Sequence, residues 1–196
     1  VSSAGWDGFS ILVNNGDGTF NNGNSYASTH ECGSIKLADF NGDTHLDVAL
    51  GNGSSGRAKQ IDVFFGNGDG TFNPTFSSYT TANHPQLMVC DVDNQHGTDI
   101  VFDIPDNHVS YYLKNDGLGA FTQVLIKNNY DVTAVCDWNN DNKIDFVAVG
   151  WDPVNNTTTG TYIILNDGSD TVAEPLLLDA SYKGLVAKFD TDAYDD

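Results

Sequence analysis

The sequence predicts an all-β fold, specifically a β-propeller built of four blades of about 50 residues. Two motifs predict it, because each recurs four times with the same period and the two stay in fixed phase. One is a glycine-rich turn, and the other is an aspartate-rich loop that follows an apolar stretch. Strand-like runs lie between them, so we expect one domain over residues 1–196, with four antiparallel strands in each blade.

The glycine-rich turn reads NGDGTF at 15–20 and again at 67–72. Weaker copies begin at Asn115 and Asn166, and the four copies start 52, 48 and 51 residues apart. Asn-Gly and Asp-Gly pairs are typical of turns between antiparallel strands, because Gly and Asn tolerate a positive φ. The motif therefore predicts one strand connection in each repeat.

The aspartate-rich loop has the same period as the glycine-rich turn. Its copies are separated by 52, 46 and 53 residues, and they begin at Asp39, Asp91, Asp137 and Asp190. Two independent motifs with one spacing indicate a structural repeat rather than a chance similarity.

The runs between the motifs predict the strands of one repeat. In the second repeat, residues 87–90 lead into the aspartate-rich loop and residues 99–102 leave it, while residues 110–113 and 121–126 flank the glycine-rich turn. These runs are short and rich in β-branched and aromatic residues, which favours strands. No segment has a convincing helical period.

The two ends of the chain complement each other within this repeat. Residues 4–7 resemble residues 149–152, which follow an aspartate-rich loop, and the sequence stops inside the fourth loop. We therefore expect the N- and C-terminal strands to share a blade, which would close the ring and remove its free edges. The alternative is that two chains join head to tail as a homodimer with a larger ring.

Three of the loops have oxygen-bearing side chains at positions 1, 3, 5 and 9. This alternation around a tight turn brings short side chains to one point, and Ca²⁺ takes about 6–8 such hard oxygen ligands. Position 7 is expected to supply a backbone carbonyl, by analogy with other calcium loops. In the order of positions 1, 3, 5, 7 and 9, the predicted ligands of the first loop are Asp39, Asn41, Asp43, His45 and Asp47. Those of the second loop are Asp91, Asp93, Gln95, Gly97 and Asp99, and those of the third loop are Asp137, Asn139, Asp141, Lys143 and Asp145.

The sequence thus predicts about three calcium ions per chain. Each loop offers three carboxylates and one amide, and three divalent ions would change the formal charge from −19 to −13. Magnesium prefers stricter octahedral geometry, and no Cys/His cluster indicates zinc. These are not EF-hands, because position 12, a Glu in EF-hands, is Leu50, Phe102 or Ala148. For any one loop, the alternative is an Asx turn without metal.

The fourth loop departs from this pattern. Asp190 and Asp192 match positions 1 and 3, but position 5 is Tyr194 and position 9 is absent. We therefore assign no metal to it.

The charge excludes some classes of partner. The chain has 27 acidic and 8 basic residues, and only Glu31 and Glu174 among the acids are Glu. Such a chain would be repelled by nucleic acid and by anionic membranes, so neither is expected as a partner. No stretch approaches the about 18 consecutive apolar residues of a membrane helix, so membrane insertion is not expected.

The three cysteines, Cys32, Cys90 and Cys136, are an odd number, which does not indicate a disulfide framework. Buried thiols are the interpretation that we favour, and a disulfide between two of them is the alternative. The N-x-Ser/Thr triplets at Asn52, Asn155 and Asn156 are compatible with secretion.

The motifs D-F-N-G-D-x-x-x-D, from Asp39 to Asp47, and NGDGTF resemble those of the FG-GAP/VCBS repeats. Such repeats occur in integrin α-subunit propellers, in fungal lectins of the Psathyrella velutina lectin type and in many secreted bacterial proteins. The resemblance covers the whole chain. It implies a calcium-binding propeller that is secreted or extracellular and has a binding role, and in the lectin members it implies sugar bound between or on the blades.

The first functional hypothesis is a carbohydrate-binding lectin whose partners are glycans or glycoproteins. Sugar sites combine an aromatic face with Asp, Asn and backbone groups. The pairs Trp6-Asp7 and Trp151-Asp152 occupy equivalent places in the repeat and are the candidate ligand-binding residues. The alternative is that these tryptophans pack between blades. Trp138 takes the loop position of Phe40 and Val92, so it is expected to pack.

Two alternatives remain open. One is a protein-binding or adhesion propeller of the integrin type, and the other is the propeller portion of a larger secreted enzyme. We expect no catalysis by this chain, because none of its histidines lies in a recognisable nucleophile or metal motif and no G-x-S-x-G occurs. Calcium accounts for most of the paired carboxylates.

Overall fold

A computed structural model of the protein describes residues 7–28, 31–53, 59–81, 85–169 and 172–179. All of the regular structure in these ranges is β-strand, and adjacent strands are antiparallel. The strands are β1 (Gly8–Asn14), β2 (Phe20–Ala27), β3 (Cys32–Ala38), β4 (Asp47–Asn52), β5 (Lys59–Gly66), β6 (Phe72–Thr81), β7 (Gln86–Cys90), β8 (Asp99–Ile104), β9 (Val109–Asn115), β10 (Phe121–Asn128), β11 (Tyr130–Cys136), β12 (Asp145–Asp152), β13 (Thr157–Ile164) and β14 (Leu176–Asp179).

The strands form four sheets in chain order. Sheet 1 consists of β1 and β2, sheet 2 of β3 to β6, sheet 3 of β7 to β10 and sheet 4 of β11 to β14. Within each four-stranded sheet, every strand pairs with the next strand along the chain. The prediction of an all-β fold with repeated units of four antiparallel strands is therefore confirmed for sheets 2, 3 and 4.

The strands of the second repeat lie where the sequence predicts them. The run 87–90 belongs to β7, 99–102 to β8, 110–113 to β9 and 121–126 to β10. Every residue of β4 and of β8 is buried, including polar residues at their ends. Full burial on both faces is expected for a strand with a packed layer on either side.

The apolar core of the described residues is divided into three clusters, each made by two successive sheets. Between sheets 1 and 2, the ring of Phe9 meets Phe64 edge to face, with centroids 5.3 Å apart. Between sheets 2 and 3, Phe40 meets Phe121 at 5.8 Å. Between sheets 3 and 4, Phe146 is fully buried in a cluster with Tyr112. Consecutive sheets therefore pack face to face along the chain.

The expectation for Trp138 is wrong. Phe40 and Val92, which take the same place in the first two loops, are 0% and 2% exposed, whereas Trp138 is 40% exposed. Phe40 and Val92 belong to the clusters that join a sheet to the one after it. Trp138 lies in the loop between β11 and β12 of sheet 4, the last described sheet, and enters none of the three clusters.

Some predictions fall on residues that the structure does not describe. Trp6, Asp190 and Asp192 lie outside the described ranges, and so does the C-terminal strand that was expected to share a blade with the N-terminal strands. The closure of a ring therefore stays a prediction.

The three cysteines are unpaired thiols, each partly buried, so the disulfide alternative is wrong. Burial raises the pKa of the Cys90 thiol to about 12, which keeps it protonated and unreactive at neutral pH. The part of the chain that the structure describes contains no helix able to cross a membrane.

Candidate functional site

The three predicted calcium loops take the same place in their sheets. Each connects the first strand of a sheet to the second: β3 to β4, β7 to β8 and β11 to β12. In sheets 2, 3 and 4 the glycine-rich turns connect the third strand to the fourth, and antiparallel pairing brings them to the same end of the sheet as the loops. The two sequence motifs of each repeat therefore meet at one end, which we call the loop end.

The loops also share an unusual backbone conformation. Positions 4 and 6 have a positive φ in all three loops. The angles are 76° at Gly42 and 72° at Thr44 in the first loop, and 59° at Asn94 and 51° at His96 in the second. In the third loop they are 58° at Asn140 and 63° at Asn142. Non-glycine residues seldom adopt this conformation, although Asn is favoured among them. The three loops thus share two left-handed positions, which is consistent with their common sequence pattern.

Hydrogen bonds fix the first carboxylate of each loop inside it. Asp39 Oδ2 accepts a bond from the backbone N of Thr44 at 2.8 Å, and Asp137 Oδ2 accepts one from Asn142 at 2.9 Å. Asp91 Oδ1 accepts a bond from Gln95 N at 3.2 Å. Position 1 is thus oriented inward in all three loops.

Positions 3 and 5 are held by bonds to backbone N–H groups two residues further on. Asn41 Oδ1 accepts from Asp43 N at 3.0 Å, and Asp43 Oδ1 accepts from His45 N at 2.8 Å. The third loop repeats both bonds, at Asn139 and at Asp141. In the second loop, Asp93 Oδ1 accepts from Gln95 N at 2.9 Å.

Position 9 has a structural role that the sequence did not indicate. Asp47, Asp99 and Asp145 are completely buried. One carboxylate oxygen of each accepts a bond from the backbone N–H of position 2 of its loop. The other accepts a bond from the N–H of a residue at the end of the third strand of its sheet, which is the last strand residue for Asp47 and Asp99 and the second residue after the strand for Asp145. The distances from Asp47 to Phe40 N and to Gly66 N are both 2.8 Å. The bonds of Asp99 and Asp145 lie between 2.7 and 3.0 Å.

Two asparagines at the loop end join neighbouring sheets. Asn115 Nδ2 donates to Phe40 O at 2.8 Å and to Thr98 O at 2.9 Å, so it bridges the first and second loops. Asn166 Nδ2 likewise donates to Val92 O at 2.7 Å and to Ile144 O at 3.0 Å. Both residues begin weaker copies of the glycine-rich motif. That repetition was the only sequence signal of their role.

The second loop brings three carboxylates close together. One oxygen each of Asp91, Asp93 and Asp99 lies within 4.8 Å of the others, and no other triad of His, Cys, Asp or Glu among the described residues meets this spacing. Burial, together with the charges of Asp93 and Asp91, raises the pKa of Asp99 to about 6. Such crowding suits a divalent cation with hard oxygen ligands, so the donor set fits Ca²⁺. In the other two loops position 3 is an amide.

Lysines also approach the loops. Lys114 Nζ is 2.9 Å from Asp93 Oδ2, whose side chain is 1% exposed. Lys143, predicted as the position 7 residue of the third loop, directs its Nζ to the backbone O of Asp167. Its ammonium therefore contacts a neighbouring turn, and its backbone carbonyl stays the predicted calcium ligand.

The candidate sugar-binding residues Trp151 and Asp152 lie at the opposite end of sheet 4. The Trp151 ring is half-buried and stacks on His108, with centroids 3.9 Å apart and planes inclined by 19°. Asp152 accepts bonds from Val154 N and from the side-chain amide of Asn155, and the Asn155 bonds lower its pKa. Asp7 is exposed, and its predicted partner Trp6 is not described.

A titratable cluster lies beside this tryptophan at the junction of sheets 3 and 4. His108 Nδ1 is 2.6 Å from Asp131 Oδ2, which links the turn after β8 to β11. Asp103 is 8% exposed, and the Oδ1 atoms of Asp103 and Asp131 are both buried without a hydrogen-bond partner. Burial, followed by the charge of Asp131, raises the pKa of Asp103 to about 6. The sequence analysis did not identify this cluster.

We expect Asp103→Asn to stabilise the protein above pH 6. The Asp103 carboxyl group binds its proton more tightly in the folded chain than in the unfolded chain, because burial raises its pKa from the ordinary value of 3.8 to about 6. The stabilising contribution is therefore full below about pH 4 and is lost as the pH rises through about 6. The neutral amide avoids that loss. We expect a gain of about 1–2 kcal/mol at pH 7.5, less than the about 3 kcal/mol of the full pKa difference, because water screens part of the interaction.

Urea unfolding of the two proteins between pH 4 and pH 8 would measure this difference. Asp106→Asn, in the exposed turn after β8, is the matched control and should leave the pH dependence unchanged. A stability difference between Asp103→Asn and the wild type that stays constant over this pH range would contradict the prediction.

Comparisons with known proteins provide no relative for this chain. No protein-family model, no curated protein and no solved structure matches it. A function can therefore be proposed only from the geometry of its own residues.

Proposed function

We propose that this chain is a calcium-stabilised extracellular binding module, built as a β-propeller. The observation that supports it best is the repetition of one loop geometry three times: the same positive-φ positions, the same position 1 carboxylate bonded to a backbone N–H of its loop, and the same buried aspartate at position 9. In the second loop, three carboxylate oxygens also lie within 4.8 Å of one another. Extracellular calcium modules work with weak sites, with a Kd of about 10⁻⁴–10⁻³ M, because calcium is abundant there.

In this proposal the odd positions of each loop hold one ion, for about three ions per chain. Side-chain oxygens at positions 1, 3, 5 and 9 and the backbone carbonyl at position 7 would be the ligands. The bound ion offsets the repulsion among the loop carboxylates, and this ties the first and second strands of each sheet together. The chemistry that calcium supplies here is structural.

The propeller architecture and the kinship with FG-GAP/VCBS repeats belong to the same proposal. Three successive four-stranded sheets with identical strand order, each packed face to face on the next, are what consecutive propeller blades require. In this view sheets 2, 3 and 4 are blades, and sheet 1 is part of a fourth.

The proposed ligand is a carbohydrate. Trp151 and His108 form a parallel aromatic stack at the end opposite the calcium loops, and the carboxylates of Asp152 and Asp131 lie close to it in sequence or in space. Aromatic faces beside fixed polar groups are typical of sugar sites. The hydrogen bonds of Asp152 with its own turn hold that carboxylate in place.

We expect a glycan array to detect selective binding to a few glycans in the presence of calcium and loss of that binding in EDTA. Trp151→Ala should weaken the binding by about 5- to 150-fold, since a stacked aromatic ring contributes about 1–3 kcal/mol. Trp138→Ala is the matched control, because Trp138 is an exposed tryptophan at the loop end of the same sheet.

The absence of binding to any glycan on the array with calcium present would overturn the carbohydrate proposal. It would favour the adhesion alternative, in which the partner is a protein. Exposed apolar side chains on β1 and β3 support that second candidate, with Leu12 43%, Val13 49% and Leu37 54% exposed.

A further inference from the structure

The second calcium loop differs from the other two by one charged neighbour. Lys114 lies in β9 directly before Asn115, whose N–H binds Asp99. The residues at the corresponding place before Gly66 and Asn166 are Phe65 and Leu165. The chain thus provides its own comparison, since one loop has a cation at this place and two have an apolar residue.

A second difference accompanies the first. Position 3 is a carboxylate, Asp93, in the second loop, and it is an amide, Asn41 or Asn139, in the other two. Lys114 Nζ is 2.9 Å from Asp93 Oδ2, and the Asp93 side chain is 1% exposed while that of Lys114 is 29% exposed. The lysine therefore neutralises the one position 3 carboxylate, at a place that water hardly reaches.

We propose that Lys114 is a built-in counter-cation of the second loop, which orders this loop without calcium and makes it the weakest of the three calcium sites. This inference rests on the proposed function, since it requires that the loops bind calcium. An ammonium group in contact with a ligand oxygen repels an incoming Ca²⁺ and competes for Asp93. The same contact neutralises a buried carboxylate while calcium is absent.

Lys114→Met should therefore have two opposite effects. Without calcium, the variant should melt at a lower temperature than the wild type, because Asp93 is buried and loses its counter-charge. With calcium, the weakest binding step should tighten by at least about tenfold, because one positive charge near the ion is removed. Differential scanning fluorimetry in EDTA and isothermal titration with CaCl₂ would measure the two effects.

Three further variants make the result specific. Lys127→Met removes a lysine from β10 whose partner, Glu174, is 92% exposed, so neither quantity should change. Lys114→Arg keeps the charge and should leave calcium binding close to that of the wild type. Asp91→Ala removes position 1 of the second loop and should abolish the weakest step, which assigns that step to this loop.

The outcomes distinguish a failure of the role of Lys114 from a failure of the proposed function. Calcium binding that Lys114→Met leaves unchanged, with an unchanged melting temperature in EDTA, would overturn the role of Lys114 and leave the proposed function standing. A wild-type chain that binds no calcium would overturn the proposed function, and the role of Lys114 with it.

Discussion

Removal of calcium with EDTA is expected to lower the melting temperature by about 15–30 °C. For sites with a Kd of about 10⁻⁴ M, about 10 mM calcium is about 100 times the Kd. An ion that binds only the folded state at that ratio stabilises it by about 2.7 kcal/mol, so three such sites contribute about 8 kcal/mol. For a chain of this size, 1 kcal/mol corresponds to about 2–4 °C. The effect should be large because each loop holds three carboxylates, one of them fully buried, that repel one another without a cation.

Differential scanning fluorimetry in EDTA, followed by back-titration with CaCl₂ or MgCl₂, would measure this dependence. Calcium should restore the melting temperature and magnesium should restore it only partly, because magnesium retains its water and requires octahedral geometry. A melting temperature that EDTA leaves unchanged would show that the three loops are Asx turns without metal.

Asp47→Ala is expected to destabilise the protein by about 3–5 kcal/mol, even in EDTA. Both carboxylate oxygens of Asp47 accept backbone N–H bonds at 2.8 Å, from Phe40 and from Gly66. The substitution leaves two buried N–H groups without partners, each at a cost of about 1–3 kcal/mol. The effect arises from the tie between the first loop and β5, so it should not require calcium.

Asp43→Ala is the matched control, because Asp43 is exposed and bonds only within the loop. In EDTA this variant should lose less than about 1 kcal/mol, while with calcium it should lose the contribution of the first site. Asp47→Asn keeps one acceptor oxygen and should fall between the two. Urea unfolding in EDTA would measure all three, and equal losses for Asp43→Ala and Asp47→Ala would contradict the structural role of position 9.

Local patterns were sufficient to predict the strands and the loops. Strands such as β7 and β8 follow from runs of apolar residues bounded by Asn, Asp and Gly, and these limits depend on residues adjacent in sequence. The loop geometry is also local, because Asp39 and Thr44 contact each other across five residues. The repeat therefore predicted the all-β fold, and the oxygen-rich residues that it identified lie in the loops between the first and second strands of sheets 2, 3 and 4.

The contacts between sheets could not be predicted from local sequence patterns. Asn115 and Phe40 are 75 residues apart in the chain, and Asn166 and Val92 are 74 apart. No periodic pattern specifies which side chain crosses a junction between two sheets. The Trp138 prediction failed for the same reason, since its burial depends on a neighbouring sheet and not on its place in the loop.

The sequence by itself determined the repeat, the strands and the oxygen-rich loops, because each of these depends on residues close together in the chain. Only the tertiary structure decided that position 9 ties each loop to a distant strand, that Lys114 contacts the second loop, and that His108 joins Asp131 and Trp151. The physical reason is that these roles depend on burial and charge at places where separate strands meet, and such meetings follow from packing.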